Sequence, residues 1–403
     1  MNGKPSGTRP TRVGTSALIT LLVLLGHGAP ANGQERIGLT QNPLVGSQVF
    51  GSKGCVKCHA VNGLGGTIGP DLGRIARRRS FYDLAATMWN HLPIMGQQME
   101  ALGIERKAMD EREAGDLIGF LFTLDYFDAP GDVEEGQRLF VDKKCVVCHQ
   151  VGVYGGVLGP SLDHLGQYGS PILVAAAMWN HGPGMETLMQ SRGVERPIFS
   201  GSELTDLISY LESVSPPPLG GPLYVLPGES EEGRVIFIEK KCNECHSVQG
   251  VGGRAAPDLA RRGVHSGLTE FAAAMWNKAP GMTAAMAARG LDVPQLGAGE
   301  MADLVAFLYS VQYFAETGDP EAGRRLIDAK GCLECHAMGS RGGDVGPDLL
   351  GATNVTSPAQ VIAEMWSHSE LMEAAGITGE SWPRLDAGEL ADIAAFLQTS
   401  SQN

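Results

Sequence analysis

All eight Cys fall in four copies of one motif, Cys-x-x-Cys-His: Cys55-Val56-Lys57-Cys58-His59, Cys145-Val146-Val147-Cys148-His149, Cys242-Asn243-Glu244-Cys245-His246 and Cys332-Leu333-Glu334-Cys335-His336. Three chemistries use such residues. A disulfide framework explains the pairs but gives no reason for a His after each one. Zinc wants four converging S or N ligands, and each motif offers three, with no further Cys or His at a fixed spacing. In the third chemistry two thiols add to the vinyl groups of a haem and the adjacent His binds the iron. Four copies that consume every Cys point to four covalently attached haem c groups.

A sixth iron ligand must recur at fixed spacing. Met95, Met185, Met282 and Met372 each stand 36 residues after the motif His, without exception. A thioether sulfur there suits low-spin iron and raises its potential. The competing reading is a Met that fills the core. Met88, Met178, Met275 and Met365 also recur, each beside a Trp in a helical run, and are read as core packing. His91, His181 and His368 precede the +36 Met by four residues, but Lys278 takes that place in repeat 3, so His is not the common ligand; the simplest role for these His is a surface or haem-edge hydrogen bond. Repeat 4 departs most: it reads His368-Ser369-Glu370-Leu371-Met372, without the Pro seen at Pro93, Pro183 and Pro280.

The elements that must position these groups repeat as well. The motifs are spaced by 90, 97 and 90 residues, which predicts four copies of one small domain. Nine residues before each first Cys stands Gly46, Gly136, Gly233 or Gly323, followed at i+4 by Phe50, Phe140, Phe237 or Ile327 on the same helix face. A helical stretch ends in Met-Trp at Trp89, Trp179, Trp276 and Trp366, and the Trp are read as core residues near the porphyrin. An amphipathic helix closes each repeat, from Asp116, Asp206, Asp303 and Asp392 onward. No strand pattern appears between these elements, so the expected fold is all-α: four tandem domains, each wrapping one haem. Arg74, Arg77 to Arg79, Arg261 and Arg262 fall in one loop of repeats 1 and 3; they form either a solvated charged loop or partners for a haem propionate.

The expected organisation is a signal peptide over 1–33, domains over 34–128 and 129–215, a Pro- and Gly-rich linker over 216–228, and domains over 229–316 and 317–403. The leader reading rests on basic Lys4, Arg9 and Arg12, an apolar run from Ser16 to Gly26 too short to span a bilayer, and small residues near Ala31. An uncleaved anchor is the competing reading; no other stretch is long and apolar enough to span. The two short joints and the longer linker suggest closely joined pairs, 1 with 2 and 3 with 4. Of 403 residues 43% are hydrophobic, enough for packed cores, and 55 are Gly with no three-residue period, which excludes a collagen-like chain. Removing a leader with three basic and no acidic side chains takes the net charge from −14 to −17. That argues against nucleic acid and for basic or neutral docking surfaces on the partners.

These residues resemble class I c-type cytochromes, over nearly all of the chain after the leader and four times over. The match rests on the Gly-x-x-x-Phe helix, Cys-x-x-Cys-His, Gly-Pro-Asp-Leu, the downstream Met and the closing helix with Phe120, Tyr210, Phe307 or Phe396. The whole looks like a tandem tetrahaem cytochrome c of the bacterial periplasm. The resemblance implies crossed N- and C-terminal helices that meet at the Gly. It also implies that the carbonyls of Pro70, Pro160, Pro257 and Pro347 accept the Nδ1 proton of the proximal His. Repeat 3 departs, with Ala256 where the others have Gly before Pro.

The expected function is single-electron relay between periplasmic or membrane-bound redox proteins through four His/Met haems, with no catalytic residues. One alternative is a haem enzyme with an open site, acting on peroxide or nitrogen oxides, with repeat 4 the candidate. Another is an electron-transfer subunit of a larger oxidoreductase complex. No flavin, quinone or nucleotide motif is present.

Overall fold

The structure is a computed structural model that describes residues 42–74, 80–124, 130–165, 170–216, 228–261, 267–313, 317–351 and 357–400. The leader, Arg77 to Arg79, Arg262 and the interior of the 216–228 linker lie outside them.

Twelve α-helices appear among the described residues, three per repeat. Repeat 1 has α1 (Pro43–Ser52), α2 (Phe81–Ala101) and α3 (Glu111–Thr123); repeat 2 has α4 (Val133–Asp142), α5 (Pro171–Ser191) and α6 (Glu203–Val214). Repeat 3 has α7 (Ser230–Glu239), α8 (Leu268–Ala287) and α9 (Ala298–Tyr313); repeat 4 has α10 (Pro320–Ala329), α11 (Pro358–Ala374) and α12 (Ala387–Ser400).

The first and last helices of each repeat cross at the recurrent Gly. A Cβ on Gly46, Gly136, Gly233 or Gly323 would stand 1.9–2.0 Å from the backbone oxygen of Asp116, Asp206, Asp303 or Asp392, so only Gly permits the approach. One turn on, Phe50 meets Phe120, Phe140 meets Tyr210 and Phe237 meets Phe307, with ring centroids 5.5–5.9 Å apart. The same Asp side chains accept the backbone N–H of Asn42, Asp132, Glu229 and Asp319 at 2.7–2.8 Å, tying the start of the first helix to the last. A second tie also repeats. The Lys two residues before each first Cys pairs with a Glu at the start of the last helix: Lys53–Glu113 and Lys330–Glu389 at 2.6 Å, Lys143–Glu203 and Lys240–Glu300 at 2.8 Å.

Three expectations change. The helix that carries Met-Trp does not end there. α2, α5 and α8 run on through Pro93, Pro183 and Pro280. A mid-helix Pro removes one hydrogen bond, and here the packing of the helix against a neighbouring repeat offsets that loss. Each motif His is followed by a two-residue antiparallel hairpin, such as Ala60–Val61 with Leu64–Gly65, too short to leave an alternating pattern. Finally, among the described residues the extensive packing is not of 1 with 2 and 3 with 4. α5 packs on α8, joining repeats 2 and 3, while α2 and α3 pack on α11 and α12, joining repeats 1 and 4. Phe122 of repeat 1 also meets Tyr309 of repeat 3 at 5.9 Å. A short joint limits only how far apart two domains lie; which faces meet is decided by the buried surface they offer.

The Trp make that surface. All four are buried, yet each indole N–H reaches out of its own repeat. Trp179 donates to Pro294 O and Trp276 to Pro197 O, at 2.8 and 2.7 Å; Trp89 donates to Pro383 O and Trp366 to Lys107 O, at 2.7 and 2.9 Å. They are clamps between repeats as well as core residues.

Candidate haem sites

Each Cys pair sits on one short 3-10 turn, Cys55–Lys57 and its counterparts at Cys145, Cys242 and Cys332. The residue before the turn is left-handed: Gly54 and Gly331 in repeats 1 and 4, but Lys144 and Lys241 in repeats 2 and 3. The turn places His on the chain just after both thiols, its backbone N–H bonded to the carbonyl of the first Cys at 2.9–3.0 Å in every repeat. Burial pushes the thiols of Cys55, Cys145 and Cys242 up to about 11, and that of Cys332 upward. Among the described residues no cluster of three or more His, Cys, Asp or Glu suits a metal ion.

The imidazoles are held alike in all four repeats. His59, His149, His246 and His336 each donate from Nδ1 to the carbonyl of Pro70, Pro160, Pro257 or Pro347 at 2.9–3.0 Å. That bond fixes the tautomer and leaves Nε2 with its lone pair for a metal. Gly69, Gly159 and Gly346 lie against the ring, and a Cβ there would fall 2.4–2.6 Å from it. In repeat 3, Ala256 stands at the matching position and keeps the backbone bond to Cys245 O, at 2.9 Å. Ile68, Leu158 and Val345, one residue before these Gly, are exposed at 54%, 44% and 72%, an apolar rim beside the ring. Two thiols, an imidazole with Nε2 kept free and an apolar rim fit a covalently attached haem.

The loop behind each ring is tied down by an Asp. Asp71 accepts the N–H groups of Asn62 and Gly63, Asp258 those of Gln249 and Gly250, and Asp348 that of Gly339. In repeat 2, Ser161 stands at the Asp position, and Asp163, two residues on, takes the bond from Gly152. Arg74 pairs with Asp71 at 3.3 Å, with its side chain largely exposed.

The two Met series share one face. Met88 and Met95 are seven residues apart on α2, two turns, and the same holds for Met178 and Met185, Met275 and Met282, and Met365 and Met372. All eight are half-buried against the core. His91 and His181 are exposed and bond to the carbonyls of Thr87 and Ala177 on their own helices. His368 is different: its ring lies 5.5 Å from that of His336.

Several residues that shape the sites carry no local signal. The Lys–Glu pairs above recur at fixed offsets from the Cys. Asn90, Asn180 and Asn277 follow the Trp and hold backbone of the paired repeat, through Leu385, Leu296 and Phe199. The fifth Trp, Trp382, stacks on Trp89 at 4.5 Å.

The fold and the motif geometry define a c-type cytochrome. The family model described as cytochrome c matches residues 45–125, 133–215 and 230–312, and the chain belongs to that family. No curated protein and no solved structure matches. Cytochrome c domains bind haem covalently and transfer electrons, and this chain has several of them in tandem. Among the described residues no helix is long and apolar enough to cross a membrane.

Proposed function

We propose that the chain is a periplasmic tetrahaem electron carrier, with one haem c on each of four repeats, relaying single electrons between redox proteins. The observation that carries the reading is the recurrence of the Cys turn and the His–Pro bond in repeat 4, which lies beyond the matched residues, with the same geometry as in repeats 1 to 3. Haem iron, once bound, supplies the Fe(III)/Fe(II) couple. The chain supplies Cys55, Cys58, Cys145, Cys148, Cys242, Cys245, Cys332 and Cys335 for attachment and the four motif His for the iron. Met95, Met185 and Met282 are the sixth ligands of the first three repeats.

The packing supports a relay order of its own. Repeats 2 and 3 are neighbours, repeats 1 and 4 are neighbours, and Phe122–Tyr309 joins repeat 1 to repeat 3. Electrons then pass in the order 2, 3, 1, 4 or its reverse, not along the sequence. The leader reading supports a periplasmic location, and the acidic net charge supports partners with basic or neutral docking faces.

The test is haem counting by pyridine haemochrome and intact mass on the protein after export. Four haems per chain are expected, and three in a variant with Cys332→Ala and Cys335→Ala. Three in the native protein, or no loss in the variant, refutes the tetrahaem reading.

A further inference from the structure

The last repeat differs from the other three in what faces its motif His. Among the described residues, His336–His368 is the one contact between a motif His ring and another ring: centroids 5.5 Å apart, planes at 51°. Metal–imidazole bonds are about 2 Å, so two rings on opposite sides of one ion have centroids roughly 6 Å apart. The observed separation is close to that span. His91 and His181 hold the same position in repeats 1 and 2, but their rings turn back to their own helices, and repeat 3 has Lys278. His368 is half-buried, and its ring nitrogens make no hydrogen bond among the described residues.

The turn that carries His368 is clamped from repeat 1. Arg106, its side chain 4% exposed, donates to Ser369 Oγ at 2.5 Å and to Glu373 at 3.1 Å, and stands 3.8 Å from Glu370. Ser369 is fully buried, and Ser367 accepts the N–H of Met109. Glu370 fills the place of the Pro in the other repeats, and α11 has 17 residues where α2 and α5 have 21. These contacts fix the helix face that presents His368 to His336.

We propose that repeat 4 binds its iron between His336 and His368, with Met372 left as a packing residue. The proposal rests on the reading that repeat 4 carries a haem. Imidazole in place of a thioether lowers the potential, because Met is the ligand that raises it. The molecule then holds three high-potential haems and one low-potential haem, the latter at the repeat-4 end of the relay.

The experiment uses the full holo-protein. Near-infrared magnetic circular dichroism counts ferric haems with Met–iron charge transfer against those with two imidazoles, alongside a redox titration and a haem count. Four haems are expected: three of the Met type and one bis-imidazole, the last titrating below the others. In Met372→Ala the Met signal and all four potentials stay as they were, while Met95→Ala loses about one third of that signal. His368→Met converts the low-potential haem to the Met type. Four Met-type haems in the native protein, or a lost share of the Met signal in Met372→Ala, overturns the proposal. The native spectrum decides even where His368→Met does not fold. A count of three haems with none on repeat 4 overturns the tetrahaem reading itself, and the haem count identifies that outcome.

Discussion

The 2–3 and 1–4 interfaces share one plan and differ in how they finish it. Between repeats 2 and 3 the exchange is reciprocal. Asn180 holds Leu296 through both N–H and C=O, at 2.9 and 2.8 Å, and Asn277 holds Phe199 in the same way, at 3.0 and 2.7 Å. Between repeats 1 and 4 the amide serves in one direction only: Asn90 holds Leu385, whereas in return the single hydroxyl of Ser367 accepts the N–H of Met109 at 3.2 Å and donates to its C=O at 3.4 Å. The residue laid on each Trp differs too. Arg196 stacks on Trp276 at 3.5 Å, and Trp382 on Trp89 at 4.5 Å. Arg106 lies further from Trp366, at 5.8 Å, and turns its guanidinium to Ser369, Glu370 and Glu373. Shape is set by the Trp in both pairs, while the 1–4 pair adds a buried Arg106 that meets the partly exposed Glu373 and the exposed Glu370 beside the unusual His of repeat 4.

The largest effect is expected at the stacked Trp pair. Trp89→Ala removes a buried indole, its bond to Pro383 and its stack on Trp382, and should cost about 4–5 kcal/mol. Trp179→Ala, which loses a similar bond without a second Trp, should cost about 3 kcal/mol. Denaturation of the two holo-proteins, followed by hydrogen exchange across each interface, checks the order. Equal losses break the comparison.

Arg106 comes next. Arg106→Ala takes the buried guanidinium from Glu373 and leaves the buried Ser369 with only its bond to Trp366 O, at a cost of about 3 kcal/mol. Arg196→Ala loses the stack on Trp276, one bond to its carbonyl and a long ion pair, at 3.4 Å, with Glu186 of its own repeat, and Arg196 Nε has no hydrogen-bond partner to begin with. Its cost should be about 1–2 kcal/mol. Thermal unfolding of the two variants decides, and a larger loss for Arg196→Ala contradicts the ionic reading of the 1–4 pair.

What the sequence made legible follows from the range of each interaction. The helix crossing could be read because Gly46 and Phe50 repeat at one offset and sit on one face. The Cys turns could be read because covalent attachment demands contiguous residues. The pairing of repeats could not: Trp89 and Pro383 are 294 residues apart, and no local pattern links them. The length of α2 was hidden because Pro93 and Gly96 look like a stop, while the packing that carries the helix past them comes from another repeat. Spacing favoured Met95 over Met88, and the helix then put both on one face. Repeat 2 also hides its loop anchor, since Asp163 does the work from two residues beyond the expected position.

The interface amides sharpen the comparison at smaller scale. Asn277→Ser copies Ser367 into the 2–3 pair. It replaces the two short amide bonds to Phe199 with the longer pair that a hydroxyl makes to Met109, a loss of about 1 kcal/mol. Ser367→Asn in the 1–4 pair should recover part of a matching amount. If neither change moves the unfolding midpoint, the amide clamp contributes nothing to either pair.

The smallest effect is one of pH and belongs to the 2–3 pair. Hydrogen bonds from Lys240 and from the Gly297 N–H hold the Glu300 carboxyl below the usual carboxylate range. Burial works to raise Glu203, but the bonds from Lys143 and Ser200 outweigh it, so it is held low as well. A carboxyl depressed in the folded state stabilises the fold above its unfolded pKa of about 4.3 and loses that contribution as pH falls through the folded value. Wild-type protein should therefore exceed Glu300→Gln in unfolding temperature at pH 7, and the two should converge as pH falls through the lowered folded-state value. Because Glu300 is 38% exposed, solvent screens the pair and the gap is small. A gap that stays constant from pH 7 to the acid limit means that the lost carboxylate acts through packing and not through its charge.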